Sequence, residues 1–141
     1  MLAGARDAAV ARRVRVVRDA GDECTVEGDR FLLRRALANL VDNAVDFSPE
    51  GGTVRVRLAC KDARAVVTVR DEGPGVPVYA REKVFEKFYS LARPGSGKRS
   101  TGLGLSFVRQ IAVLHHGHIE LGNHDEGGAL ATFSLPRLSP R

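Results

Sequence analysis

Two asparagines and a carboxylate share one stripe of a helical segment in the first third of the chain. Between Phe31 and Val45 the apolar residues recur at the spacing of an amphipathic helix. The opposite face carries, at steps of four, four and three residues, Arg35, Asn39, Asn43 and Asp46. These side chains therefore project along one line. Their oxygens suit a hard cation or a polar ligand, although such a stripe alone is more often a solvated helix face.

A glycine-bearing turn directly follows a predicted strand. It reads Asp71-Glu72-Gly73-Pro74-Gly75-Val76-Pro77. A carboxylate at a strand end can accept a hydrogen bond from an amino group such as that of adenine, and the glycines let the backbone approach a ring closely. A lone Asp-x-Gly-x-Gly is more often only a tight turn, so this motif needs support from the rest of the chain.

A second pair of glycines opens a helix later in the chain. A polar loop gives way to helical periodicity at the residues Thr101, Gly102, Leu103, Gly104 and Leu105. Glycine amides at a helix N-terminus form a cradle for phosphate. The chain lacks both the phosphate-binding loop pattern of Walker-type ATPases and the spacing of a Rossmann fingerprint.

A basic segment precedes that helix. Phe85-Glu86-Lys87-Phe88-Tyr89 leads into residues 90–101, which bury little and carry Arg93, Lys98 and Arg99. The two phenylalanines are typical core residues. Lys87 can reach a terminal phosphate as a point charge, and the segment 90–101 reads as a mobile loop.

The elements that must position these residues are helices mixed with antiparallel strands. Helices are predicted over 30–47, with Asp29 as N-cap, over 81–89 and over 102–115. Alternating residues predict strands at 13–17, 53–58, 65–70, 118–121 and 129–135, with a short one at 25–26. The expected fold is a two-layer α/β sandwich, a mixed, mostly antiparallel sheet with three helices on one face.

Composition limits the function classes. A chain of 141 residues with 43% hydrophobic and 28% charged residues is one soluble domain. No apolar run approaches a membrane span, so a cytosolic protein or cytosolic piece is expected. The net charge of +5 comes from scattered Lys and Arg, and with no Trp a base-stacking platform for nucleic acid is not expected. Cys24 and Cys60 are too few for a disulfide framework and read as small buried hydrophobes.

The four motifs, in this order, resemble the N, G1, F and G2 boxes of the ATP-binding catalytic domain of bacterial sensor histidine kinases. That domain has the Bergerat fold of the ATPase group that includes gyrase B, Hsp90 and MutL. The resemblance covers 13–136. The runs that start at Val84 and at Asn43 are most similar to the CreC-type sensor kinases.

The resemblance implies a site for ATP and Mg²⁺. Asn43 is the implied metal ligand, and Phe47 and Asp71 lie against adenine, with Gly73, Gly75 and Val76 around it. Lys87 approaches the γ-phosphate, and 90–101 form the ATP lid. The remaining nucleotide contacts come from Asn39, Asp46, Arg93, Lys98, Arg99, Thr101, Gly102, Leu103, Gly104 and Leu105. Asn39 and Lys87 are the implied catalytic positions.

Three residues depart from the family pattern. Asn39 replaces the catalytic glutamate of gyrase-type relatives, and because an amide cannot act as a general base, independent ATP hydrolysis is expected to be poor. Asp46 stands where many members have a basic residue, and we expect Arg93, Lys98 or Arg99 to offset it. Ala129 replaces a Ser or Thr near adenine, so that side-chain contact is expected to be lost.

The phosphoacceptor histidine of the family is absent. His115, His116, His118 and His124 all follow the second glycine pair and read as turn and surface residues, with 116–118 forming a helix-to-strand turn. The expected activity is therefore transfer of the γ-phosphate to a histidine on a separate helical domain of the same kinase or its dimer partner, with a downstream response regulator as further partner.

Two alternatives remain open from the sequence. One is an anti-sigma-factor-like serine kinase, and the other is a nucleotide-binding regulatory module without transfer activity. The expected organisation is an N-terminal lead (1–10), the catalytic domain (11–137) and a short tail (138–141). The expected location is cytoplasmic, as part of a membrane-anchored sensor, without direct membrane contact by this domain.

Overall fold

The computed structural model describes residues 13–19, 21–87 and 104–138. Within them a five-stranded sheet forms the frame. Its strands are β1 (Arg15–Arg18), β2 (Thr53–Lys61), β3 (Arg64–Arg70), β4 (His118–Asn123) and β5 (Ala129–Pro136). They lie in the order β1-β2-β3-β5-β4. β1 runs parallel to β2 and every other pairing is antiparallel.

Among the residues that the structure describes, two α-helices cover one face of the sheet. They are α1 (Arg30–Phe47) and α2 (Gly104–Leu114). The predicted N-cap of α1 is confirmed, because the Asp29 side chain accepts a hydrogen bond from the Leu32 amide at 3.0 Å. After Phe47 the chain becomes extended at Ser48, whose amide still bonds to the last turn of the helix.

The core lies between the helices and the inward face of the sheet. Alternate strand residues such as Val54, Val69 and Phe133 join a single apolar cluster with Val41 of α1 and Val108 of α2. The strands alternate because successive side chains point to opposite faces. This packing confirms the predicted two-layer sandwich and brings the ends of α1, β3 and β5 together.

The predicted third helix has a different form. Its described part, residues 81–87, contains one single-turn 3₁₀ helix, Lys83–Phe85, and another, Val78–Ala80, lies just before it; neither has a side-chain cap. Val84 and Phe85 are buried as predicted, but they fill only one turn, too little apolar surface to hold a longer helix. Phe88 and Tyr89 lie outside the described residues.

The predicted short strand at 25–26 is also wrong. Residues 21–27 form an irregular segment that follows the edge of β2. The Asp22 amide donates to the Leu58 carbonyl, and the Thr25 carbonyl accepts from Leu138. These single bonds satisfy the backbone without a continuous ladder.

The prediction for the two cysteines is wrong as well. Cys24 and Cys60 form a disulfide that ties this irregular segment to β2, with their Cα atoms 6.0 Å apart. Both residues are only partly buried. Two cysteines separated by 36 positions carry no sequence signal for such a bond, since the pairing depends on how the irregular segment lies on the sheet.

His115 joins the two helices, although the sequence predicted an ordinary turn histidine. The side chain is buried, and its Nε2 accepts a hydrogen bond from the Asp29 amide at 2.9 Å. Its Nδ1 lies 2.8 Å from the Ile111 carbonyl. Since Nε2 is the acceptor, the proton sits on Nδ1 and donates to Ile111. The predicted turn that follows is confirmed by His116, which has a φ of 59°.

Replacing this histidine should weaken the packing of α1 on α2. We expect His115→Ala to lower the free energy of unfolding by about 2 kcal/mol, because the Asp29 amide loses its buried partner and a cavity remains. Urea unfolding followed by circular dichroism measures the change. His118→Ala, at an exposed position of β4, is the control, and equal unfolding midpoints for the two variants would contradict the structural role of His115.

Candidate functional site

The Asp71 carboxylate sits at the end of β3 and is only 3% exposed. Its Oδ1 accepts two backbone hydrogen bonds, from Gly73 and from Ala129, each at 2.9 Å. The Asp71 amide in turn donates to the Ala129 carbonyl at 3.0 Å. Within the part of the chain that the structure describes, Oδ2 has no hydrogen-bond partner. One oxygen therefore holds the loop, and the other remains an acceptor.

Opposing effects act on the protonation of Asp71. Burial raises the pKa of this carboxyl above its ordinary value. The backbone bonds from Ala129 and Gly73 and the charge of Arg70 lower the pKa by smaller amounts. Because both backbone donors point at Oδ1, a proton that binds this carboxyl group must bind at Oδ2.

Two glycines allow the Asp71 loop to lie close to its neighbours. A Cβ at Gly73 would collide with the Phe47 carbonyl at the end of α1, and a Cβ at Gly128 would collide with the Asp71 carbonyl. Both contacts are with backbone, which cannot move aside cheaply. The loop that follows β3 is thereby wedged between the end of α1 and the turn between β4 and β5.

The polar stripe of α1 is present as predicted. Asn39 and Asn43 are half-buried, and among the described residues neither side chain makes a hydrogen bond. Asp42, beside Asn43, has a buried Oδ1 that finds no hydrogen-bond partner within residues 13–19, 21–87 and 104–138. Burial, and next the charge of Asp46, raise the pKa of Asp42. The stripe thus presents amide oxygens free to bind a ligand, next to two mutually repelling carboxyl groups.

The residues predicted to contact the phosphates lie only partly within the described ranges. Gly104 is the first residue of α2, and a Cβ built there would meet open space. Leu105 packs against the core, and Lys87 is exposed at the last described position before residue 104. Six predicted residues lie outside the described ranges: Arg93, Lys98, Arg99, Thr101, Gly102 and Leu103.

Sequence reasoning missed two contributions from the β4–β5 hairpin. Ala129 holds Asp71 through its main chain, so its lack of a hydroxyl does not leave Asp71 unsupported. The Asn123 side chain bonds to both main-chain groups of Val76. No local pattern marks either residue, because the contacts join positions 58 and 47 residues apart.

The donor set favours an organic polyanion over a bare metal ion. Among the described residues no group of three or more His, Cys, Asp or Glu side chains could hold a metal by itself. In the described part of the chain, the available groups are a buried carboxylate acceptor, two side-chain amides without hydrogen bonds and the start of a helix. This combination suits a nucleotide, with an amino-bearing base at Asp71 and phosphates toward α2.

Residues 28–139 match the family model described as "Histidine kinase-, DNA gyrase B-, and HSP90-like ATPase". The chain belongs to this family. The predicted resemblance to this ATPase group is therefore confirmed, and the relatives and structures described next assign the domain to the catalytic domains of histidine kinases.

Curated relatives of the domain are sensor kinases. This chain is 44% identical over 115 residues to sensor protein CreC of Escherichia coli, and the alignment covers 82% of this chain and 24% of CreC. It is 45% identical over 120 residues to the histidine-protein kinase/phosphatase MprB of Mycobacterium tuberculosis H37Rv, covering 82% of this chain and 23% of MprB. The chain thus spans about a quarter of the length of these relatives.

Solved structures agree in fold. A structure of the mycobacterial sensor histidine kinase MprB superposes with a TM-score of 0.80 at 31% identity, covering 96% of this chain and 90% of that one. The catalytic domain of histidine kinase ThkA superposes with a TM-score of 0.76 at 27% identity, covering 94% and 90%. Residues 13–19, 21–87 and 104–138 contain no helix with the length and apolar character of a membrane span.

The fit of the Asp71 loop against α1 can be tested with a matched pair of glycines. We expect Gly73→Ala to lower the free energy of unfolding by about 2 kcal/mol, because the added methyl overlaps the Phe47 carbonyl. Gly122→Ala, where a Cβ meets nothing within 4 Å, should change it far less. Chemical unfolding of the two variants gives the comparison, and a Gly73→Ala protein as stable as Gly122→Ala would show that the loop is not wedged.

Proposed function

We propose that this domain binds Mg²⁺-ATP between α1 and the Asp71 loop and transfers the γ-phosphoryl group to a histidine on a separate helical domain. The observation that carries the proposal is the buried carboxylate of Asp71 with one saturated and one available oxygen. Membership of the ATPase family supports ATP as the nucleotide. The metal, the residue roles and the acceptor are parts of the proposal.

Asp71 selects adenine by the direction of its hydrogen bond. Two backbone amides hold Oδ1 in place, so Oδ2 is fixed as an acceptor for the exocyclic amino group of adenine. Guanine presents a carbonyl oxygen at the same ring position. This oxygen would face the carboxylate, so that two hydrogen-bond acceptors would oppose each other. An acceptor left unpaired in a buried site is costly, so the site favours ATP over GTP. Phe47 supplies an apolar contact for the base.

The α1 stripe would hold the metal with help from the nucleotide. Mg²⁺ takes oxygen ligands and keeps several waters, and substrate phosphates usually complete its shell. The Asn43 side chain is unengaged within the described residues, so its oxygen is available as the one protein ligand. When bound, the metal neutralises charge on the phosphates. Asn39, one turn earlier, would support the metal or the phosphates, and Asp46 would face the phosphates through the metal.

The phosphate chain would extend toward α2 and the lid. The described part of α2 starts at Gly104, where a Cβ would meet nothing within 4 Å, and a helix N-terminus suits an anion. Lys87 would approach the γ-phosphate. The lid residues, Arg93, Lys98, Arg99, Thr101, Gly102 and Leu103, complete the proposed contacts, with Leu105 anchoring the start of the helix in the core.

Phosphoryl transfer requires positioning and charge stabilisation more than covalent chemistry by the protein. An imidazole nitrogen of the partner domain attacks the γ-phosphorus, the bond to the β–γ bridging oxygen breaks, and ADP leaves. His115 cannot be this nucleophile, since both of its ring nitrogens are hydrogen-bonded in the core. Asn39 cannot activate water as a general base, which favours transfer over hydrolysis.

The curated relatives named above are sensor proteins, and they lend no support to the serine-kinase or non-catalytic alternatives. By analogy with them, we infer a dimerisation and phosphoacceptor domain of the same kinase or its dimer partner, and a response regulator downstream. The inferred location is the cytoplasmic side of a membrane-anchored sensor.

Removing the proposed metal ligand should abolish the effect of magnesium. We expect Asn43→Ala to weaken ATP binding about tenfold in the presence of Mg²⁺, which is about 1.4 kcal/mol. In EDTA the wild type and the variant should bind ATP equally, since no metal bridges the helix to the phosphates. Isothermal titration calorimetry of both proteins under both conditions makes the comparison. An equal loss with and without Mg²⁺ would assign Asn43 a role other than metal binding.

Reversing the hydrogen-bond direction at Asp71 should change base selection. In Asp71→Asn the oxygen must take the Oδ1 place to satisfy the two backbone amides, so the NH₂ group faces the base as a donor. We expect ATP affinity to fall about ten- to a hundredfold, and the preference for ATP over GTP to shrink. Competition binding with the two nucleotides measures this ratio.

Asp62→Asn on the exposed turn between β2 and β3 is the matched control for that change of charge. It should leave both affinities unchanged. If Asp71→Asn also left the ATP-to-GTP ratio as in the wild type, Asp71 would not read the base.

A further inference from the structure

The Asn123 side chain binds both main-chain groups of a single residue in the loop after β3. Its Oδ1 accepts a hydrogen bond from the Val76 amide at 2.7 Å, and its Nδ2 donates to the Val76 carbonyl at 3.1 Å. The two bonds use opposite polarities, so they fix which way the side-chain amide points. An Asn side chain is one of the few that can satisfy an N–H and a C=O together.

Gly75 brings the loop into contact with this side chain. Its φ is 82°, and a Cβ there would lie 2.7 Å from the Asn123 Oδ1. A residue with a side chain is disfavoured on both counts. On its other side, Val76 inserts its own side chain into the core, where it is 6% exposed. Val76 is therefore held by its backbone and by its side chain at once.

The cross-strand partner of Asn123 holds the other end of the loop, at Asp71. Asn123 and Ala129 are partners in the register of β4 and β5. Ala129 binds Asp71 through its main chain, while Asn123 binds Val76. One cross-strand pair thus fixes both ends of the segment from Asp71 to Val76. Without the second bond the segment would be tied at Asp71 and free to move at its glycines.

We propose that Asn123 is a positioning residue for nucleotide binding: by fixing Val76, it holds the Asp71–Val76 loop in the conformation that receives the base. This inference rests on the proposed function, since it concerns the base-binding half of the same site. Asn123 itself does not need to touch the nucleotide. Loss of this side chain therefore weakens the binding of the base and leaves the binding of the phosphates unchanged, because a more mobile loop must be ordered when the base binds.

The test separates the two halves of the ligand. We expect Asn123→Ala to weaken Mg²⁺-ATP binding about tenfold and to change the affinity for Mg²⁺-tripolyphosphate, which has no base, less than twofold. Competition against a fluorescent ATP analogue measures both. Hydrogen exchange should show the Val76 amide exchanging at least about tenfold faster in the variant, while the urea midpoint stays close to that of the wild type. Asp125→Asn, exposed on the same hairpin, is the control and should behave as the wild type.

The outcomes distinguish this inference from the proposed function. If the wild type bound no ATP, the proposed function would fail and the inference with it. If the wild type bound ATP but Asn123→Ala bound it equally well, or lost ATP and tripolyphosphate to the same extent, only the positioning role would be overturned. Faster exchange at Val76 with unchanged ATP affinity would mean that Asn123 orders the loop without serving the site.

Discussion

The proposed nucleotide site depends on the two oxygens of the Asp71 carboxylate having different partners. Asp71 is buried where an ionised group is costly, and two backbone amides that converge on Oδ1 partly compensate for that cost. These same bonds make the two oxygens different. Oδ1 is held by the fold, and Oδ2 is the acceptor that we propose for the base. In this proposal the backbone sets the direction of recognition before any ligand binds.

The sheet provides the rigidity that this arrangement needs. The loop from Asp71 to Val76 contains two glycines and a proline, and by itself it would sample many conformations. It is held because β3 and β5 are paired along their length and the β4–β5 turn packs against the loop. The end of α1 closes the other side. A site preorganised in this way loses less entropy when it binds its ligand.

The sequence predicted the elements better than the contacts between them. Helix α1 was predicted at its observed bounds because a cap, a sustained apolar period and a proline-containing stop all agree. The strands were found by alternation, whereas the segment 81–89 had too few apolar positions to decide between a helix and isolated turns. The role proposed for Asp71 came from the order of four motifs that resemble a family, since each motif alone was compatible with an ordinary turn or helix start. Asn123 and the Cys24–Cys60 bond were missed because their roles depend on residues distant in sequence, for which one chain offers no signal.

The most direct test of the account is a crystal structure of the domain with Mg²⁺ and a non-hydrolysable ATP analogue. The account predicts the amino group of adenine at hydrogen-bond distance from Oδ2 of Asp71, with the bonds from Gly73 and Ala129 to Oδ1 intact, and the Asn43 oxygen on the metal. An analogue whose base lies away from Asp71, or a carboxylate that has released the two amides to meet the base, would contradict it.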